Sequence, residues 1–205
     1  MMNRKNRCIV VCVVFLISLP VAGITAQEGI QGNGRLSVQG GVGVSGARGN
    51  YAVEYDARTE FSFNPGIRLR VDDTFAPNTL IFADLGFLQA GFVGYVVPTE
   101  TYFYNTYEYL NINAMFGHYT NPFYLAGGLY FGIGLNAYSY KEYEDKWVTL
   151  TSNPDFGVVG ELGVDIASFL SIGVQGRFGL KSIGSSVDIR NFGILGTIGL
   201  HFLRF

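Results

Sequence analysis

Seven charged residues sit where they could do chemistry inside a closed structure: Arg68, Arg70, Asp84, Glu161, Asp165, Arg177 and Lys181. Each falls at the polar phase of a segment in which apolar residues recur at every second position. Side chains at one phase of a strand share one face. Glu161 and Asp165 lie four residues apart on one such segment, and paired carboxylates are the raw material of general acid–base catalysis. Both also have basic neighbours in the pattern. Extrapolated across the short turns, Arg68 lies across from Asp84, and Glu161 lies opposite Gln175 and diagonal to Arg177, within cross-strand reach. These charges can form a packed network of ion pairs, line a narrow ion path, or act as an acid–base pair. Unpaired charges in an interior are costly, so the packed network is the expectation, with Glu161 and Arg177 paired. No catalytic residue is assigned.

The strands that would carry these groups are legible as alternation. Leu36, Val38, Val42 and Val44 oppose Ser37, Gln39, Gly41 and Ser45. Phe61, Phe63, Ile67 and Leu69 oppose Ser62, Asn64, Arg68 and Arg70. Ile81, Ala83, Leu85 and Phe87 oppose Phe82, Asp84 and Gly86. The same phase runs through Leu110, Ile112, Ala114 and Phe116, then through Phe123 to Leu135, with Asn136 on the opposing, inward side. It continues through Phe156 to Ile166, Leu170 to Leu180, and Phe192 to Leu200. That makes eight segments, most near the nine to eleven residues that a tilted strand needs to cross a bilayer. The connections alternate in length. Those at 72–78, 118–122 and 167–169 are short, and those at 47–60, 90–106, 138–154 and 182–190 are long, the pattern of a membrane barrel. Pro65 requires a bulge or an unpaired position. Phe205 and Leu203 share one parity while Phe192, Ile198 and Leu200 share the other, which a β-bulge near His201 would reconcile.

The N-terminus reads as a processing segment. Arg4, Lys5 and Arg7 precede an apolar run from Cys8 to Val21, and small residues follow up to Ala26. This is a secretory signal with cleavage between Ala26 and Gln27, leaving a domain at 27–205. Its removal leaves 11 of the 14 basic residues against all 16 acidic ones, a balance of −5 that argues against a nucleic-acid partner. Both cysteines, Cys8 and Cys12, leave with it, so the remaining chain has neither a disulfide framework nor a thiolate metal site. No cofactor is expected, since phosphate loops, zinc spacings and nucleophile elbows are all absent from the sequence. The remainder is rich in Gly, Phe and Tyr, poor in charge, and without a stretch long enough for a spanning helix. Only helices and closed barrels satisfy every backbone group in lipid. The expected fold is therefore an all-β, eight-stranded antiparallel transmembrane up-and-down barrel.

Two stretches carry a resemblance. YLNINAMFGHYTNPFYLAGGLYFGIGL, residues 109–135, resembles the central hairpin of the porin-like bacterial outer-membrane β-barrel domain family, with Asn113 in place of the usual proline. DFGVVGELGVDIASFLSIGVQGRFGLKSIG, residues 155–184, resembles the hairpin that follows it. The resemblance implies an eight-stranded barrel in the outer membrane of a diderm bacterium and supplies no catalytic residues. Separately, the terminal aromatic of the last strand, Phe205, resembles the signal that bacterial barrel-assembly machinery reads. Outer-membrane lipid A deacylases on this architecture use a Ser and a His near the external leaflet. The only histidines here, His118 and His201, fall at the opposite end, so an enzyme is not expected.

The aromatic residues of the long connections form two groups: Tyr95, Tyr102, Phe103, Tyr104 and Tyr107, and Tyr138, Tyr140, Tyr143 and Trp147. They fit an aromatic girdle at the lipid headgroups or a surface that binds a partner. The mixed charges of 141–146 read as a solvated run. The leading functional expectation is a non-enzymatic barrel, structural or surface-interacting, with a side-chain-filled lumen. A narrow channel for ions or small solutes is the alternative, and a lipid-modifying enzyme is a distant third. On the walls, outward Leu129→Arg is expected to cost more than inward Gly128→Ser.

Overall fold

A computed structural model describes residues 34–50, 54–73, 75–96, 100–183 and 188–205, without the side chain of Tyr143. The signal segment and its cleavage after Ala26 lie outside the described residues, as do the stretches 51–53, 97–99 and 184–187. The strands are β1 (Gly34–Arg48), β2 (Arg58–Asp72), β3 (Thr79–Val96), β4 (Thr101–Thr120), β5 (Phe123–Lys141), β6 (Lys146–Thr149), β7 (Asp155–Ala167), β8 (Leu170–Gly179) and β9 (Arg190–Arg204). Every recorded pairing is antiparallel. β1 pairs with β9 and β4 pairs with β5, so β1–β2–β3–β4–β5–β7–β8–β9 close into an eight-stranded ring. The short β6 adds only to the outer end of β5.

The alternation decides which face each side chain takes. Val42, Phe61, Leu85, Phe116, Leu129 and Val174 are exposed on the outside, while Ser37, Asn64, Arg68, Asp84, Asn113 and Gln175 are buried inside. In water this polarity would be inverted. In a bilayer it gives an apolar band facing lipid, with every strand paired on both sides. No described helix is long and apolar enough to cross a membrane.

Two inward tyrosines explain part of the glycine content. Tyr124 pairs across strands with Gly163, and Tyr130 with Gly157. A Cβ on either glycine would overlap the facing ring. Each ring therefore lies flat against bare backbone, as in aromatic rescue of a strand glycine. At Gly128 an added Cβ would meet the Ala114–Met115 backbone. This raises the cost expected of Gly128→Ser: although the position points inward, backbone rather than open lumen fills the space.

The short turns, 73–78, 121–122 and 168–169, lie at one end as expected. The opposite end differs from the expectation in three ways. Residues 90–106 are not a long loop, because β3 and β4 continue in unbroken register to Val96↔Thr101. The alternation there persists in aromatic and β-branched residues, which suit a strand. β5 likewise continues to Lys141, and residues 146–149 fold back on it as β6. Finally, Asn136 is exposed rather than inward. Glu108 pairs with Asn136 while Tyr109 pairs with Gly134, so Leu135 is an extra residue that reverses the parity above it. The wall is uneven as a result. β3, β4 and β5 have 18, 20 and 19 residues, whereas β7 and β8 have 13 and 10.

The expected bulge near His201 is present. Ser37 pairs with His201 and Leu36 with Leu203, leaving Phe202 as the extra residue. Pro65 pairs with Gly40 on the β1 side and takes no part in the recorded β2–β3 register.

Candidate functional site

The lumen is filled in tiers. In the middle tier, Arg68 on β2 donates Nε and Nη2 to Asp84 at 2.7 and 2.9 Å. Its Nη1 and Nη2 also reach Glu161 on β7 at 2.6 and 2.7 Å. One guanidinium thus bridges two carboxylates, both in two-point contact, the geometry for which its planar fork is suited. The Phe82 ring lies 4.2 Å beneath the Arg68 Cζ. The remaining carboxylate lone pairs are also used. Tyr124 Oη and Gln175 Nε2 each donate to Glu161 at 2.8 Å, and Asn113 Nδ2 donates to Asp84 at 3.1 Å. All four charged oxygens and the cation are buried, and full pairing is what makes that tolerable.

Arg68 lies directly opposite Asp84 and Glu161 directly opposite Gln175, as the alternation implied. The expected Glu161–Arg177 ion pair is corrected. Glu161 is taken by Arg68 across the lumen. Arg177 instead donates to Gln175 Oε1 at 2.9 Å and to Asn111 Oδ1 at 2.8 Å. With the Asn64 amide oxygen turned inward, Nη2 also donates to it at 2.8 Å. The diagonal from Glu161 was geometrically available, but the wide fork of Arg68 met the carboxylate from the facing wall.

A second tier lies toward the short turns. Arg70 Nε donates to Asp72 at 2.6 Å and its Nη1 to Asp165 at 3.0 Å. Arg35 joins the same two carboxylates at 3.1 and 3.0 Å. These four groups balance in charge, and Arg35, Arg70 and Asp165 line a vestibule of about 210 Å³ together with Tyr119, Pro122 and Phe123. Lys181 is corrected: β8 ends at Gly179, and Lys181 stands exposed beyond it, outside the lumen.

The sequence reading missed Arg35, Asp72 and the neutral amides and phenols that complete the network. Arg35 lies at the start of β1, where few alternating residues precede it. Asp72 looked like the first residue of a turn. Ring pairing and the inward parity of Asn111, Asn113, Tyr124 and Gln175 could have found the rest.

Above the middle tier, Asp155 accepts from Tyr130 Oη and Asn191 Nδ2, both at 3.0 Å. Its Oδ1 has no protein partner. It borders a cavity of about 20 Å³ shared with Arg177 and Ser45, room for a single water molecule. Higher still, Phe92, Phe103, Tyr107 and Tyr109 pack with Leu88, Ile183 and Ile189 into an apolar cap. Phe92 stacks on Tyr107 at 6.3 Å, and Tyr107 on Tyr109 at 6.4 Å.

Among the described residues no group of histidines and carboxylates could hold a metal ion. One Ser–His contact is present among the described residues, Ser37 Oγ to His201 Nδ1 at 2.6 Å. Ser37 is fully buried in the lumen wall near the short-turn end, where no substrate carbonyl can approach its Oγ. His118 is exposed at that same end, within 3.4 Å of Thr120 Oγ1.

An all-antiparallel ring of eight spanning strands, apolar outside and polar inside, is a small outer-membrane-type β-barrel. No protein-family model matches the chain, and no curated protein matches it in sequence. Among solved structures it is similar to the Neisserial surface protein A, NspA, at 12% identity over 82% of this chain and 97% of that one, with a TM-score of 0.54. It is also similar to Ail, the attachment invasion locus protein of Yersinia pestis, at 14% identity over 83% and 99%, with a TM-score of 0.51. Ail has also been solved in complex with the heparin analogue sucrose octasulfate, at 15% identity over 83% and 99%, with a TM-score of 0.51. At these identities the likeness is one of fold, and it agrees with the barrel resemblance read from residues 109–135 and 155–184.

Proposed function

We propose that this chain is an exported, non-enzymatic and non-conducting protein of the outer membrane of a diderm bacterium, whose barrel anchors a surface-interacting sheet. The observation that carries the reading is the occupied lumen. The Arg68 bridge and the aromatic cap block it in series, and the cavity beside Asp155 and Arg177 has room for one water molecule. Eight-stranded barrels are just wide enough for side chains to fill, and here the fillers are paired. The uneven wall supports the surface role, since β3–β6 rise past the lipid belt while β7–β8 do not. Lipid contact is supported by the outward apolar belt. Recognition of the last strand by the assembly machinery is supported by Phe205, which exchanges backbone hydrogen bonds with Gly34 at 3.0 Å at the closing seam.

Planar-bilayer recording of the refolded chain 27–205 tests the reading. Near-zero conductance is expected for the wild type and for Arg68→Ala, in which the aromatic cap still blocks the lumen, with openings appearing only when Phe92→Ala and Tyr107→Ala are added to it. A wild type that conducts steadily, with selectivity altered by Arg68→Ala alone, would favour the narrow channel.

A further inference from the structure

The outward face of β4 changes character in a set order. Phe116, Ala114, Ile112 and Leu110 form the apolar belt, and Glu108, Thr106, Tyr104 and Tyr102 follow. Hydrogen-bonded rows carry the same order across the sheet. The top belt row is Phe87–Leu110–Ile133 and the next is Gln89–Glu108–Asn136, with Asn136 Nδ2 donating to Glu108 at 2.8 Å. Two rows higher come Tyr104, Tyr140 and Trp147 in register, with Tyr95 and Tyr102 above them. Neighbouring ring centroids lie 6.2 Å apart for Tyr104–Tyr140, and 5.1 Å for both Tyr140–Trp147 and Tyr95–Tyr102.

A headgroup girdle flanks the apolar band directly. Here two rows intervene, Gln89–Glu108–Asn136 and Gly91–Thr106–Tyr138, in which Tyr138 is the one aromatic ring. Tyr104 is six residues above Leu110, which at about 3.3 Å per residue and a tilt of about 40° is roughly 15 Å along the barrel axis. The headgroup layer on one side of a bilayer is only about 5–8 Å thick. The rings therefore stand above it, on the same face that meets acyl chains below. The Leu135 bulge is what turns Tyr138 and Tyr140 to that face; without it they would point into the mouth.

We propose that this aromatic row stacks against uncharged sugars of the glycolipids that surround the barrel in its own leaflet. The proposal rests on the outer-membrane reading and names the partner of the projecting sheet. Continuity decides the source: a face that meets glycolipid tails below meets glycolipid saccharides about 15 Å higher. Flat rings present apolar area with a polar edge, which suits the alternating C–H faces and hydroxyls of hexoses. Charge disfavours a polyanionic sugar: among the described residues beside the row, Arg58 is paired with Asp56 at 2.9 Å and Lys141 with Glu144 at 3.6 Å, and Lys146 follows Glu142, Glu144 and Asp145 in the chain.

Trp147 is the only tryptophan of the chain and reports on the row directly. The refolded chain 27–205 is placed in nanodiscs of phospholipid alone, of phospholipid with lipid A, and of phospholipid with a glycolipid bearing an uncharged hexose core. A blue shift of Trp147 emission, with reduced quenching by acrylamide, is expected only in the third. The shift should vanish in Tyr102→Ala/Tyr104→Ala, which leaves the Tyr140–Trp147 contact in place, while the heat-modifiable migration of the folded barrel is retained. An equal shift with lipid A makes the row a girdle and overturns the proposal, as does no shift in any disc. So does a shift reversed by a sulfated sugar but not by hexose oligosaccharide. A chain that shows no heat-modifiable band even in phospholipid discs strikes the barrel reading itself, and this one with it.

Discussion

Below the level of Asp155 the lumen is filled by guanidinium and carboxylate groups, with amides and phenols completing their hydrogen bonds. Above it, Phe92, Phe103, Tyr107 and Tyr109 fill the same interior with stacked rings and almost no charge. Both fillings exclude solvent, but they fail differently. An ionic tier is held by partners that are costly to strand, so removing one member penalises those that remain. An aromatic cap is held by area and packing, so removing part of it costs only what was removed and the gap left behind. Similar occupancy therefore goes with very different sensitivity to a single change.

The largest effect is expected from Arg68→Gln, which leaves Asp84 and Glu161 buried without their shared cation. Its cost should be on the order of 3–5 kcal/mol, read from urea unfolding in liposomes. Adding Glu161→Gln should recover part of the loss; strictly additive losses would mean that water already solvates this tier. Arg70→Gln should cost less, roughly 1.5–3 kcal/mol, because Arg35 still serves both carboxylates and the vestibule is open to water. If Arg70→Gln proves as damaging as Arg68→Gln, the lower tier is drier than its 210 Å³ vestibule suggests. In the cap, Phe92→Leu keeps most of the apolar volume and should cost under about 1.5 kcal/mol. A larger loss there would erase the contrast between the two fillings. The smallest change belongs to the wall. Gly127 faces outward, with its nearest neighbour for an added Cβ 3.9 Å away, so Gly127→Ala should stay within about 0.5 kcal/mol of wild type. Gly128→Ala, one residue on, should destabilise by clearly more in the same titration.

The barrel was legible in the sequence because alternation is strict where one face must meet lipid and the other a packed interior. A slip of one residue would turn a whole strand inside out. For the same reason Arg68–Asp84 and Glu161–Gln175 could be placed from turn lengths alone. Pairings across the lumen were not legible. Arg68 and Glu161 are 93 residues apart, and periodicity says which way a side chain points, not what it meets on the far wall. The upper ends of β3–β5 were misread for a related reason. Tyrosines in 95–107 and 138–147 resembled loop decoration, and only pairing with a neighbour shows that they continue the strands. The Leu135 bulge hid the parity of everything beyond it. At the other end, the conflict between Phe205 and Leu200 was itself the clue to the Phe202 bulge.

In the ring order, β2 and β7 stand half a circumference apart. Arg68 joins them through Glu161, and Arg70 joins them again through Asp165 at 3.0 Å. The two arginines act as struts across a tube, beside the Arg177–Asn111 and Arg35–Asp165 contacts that also cross its interior. A thin-walled cylinder squeezed from the side ovalises before its wall breaks. Here that deformation would have to pull two guanidinium groups off buried carboxylates, so the cross-section stays round under the lateral pressure of a crowded membrane.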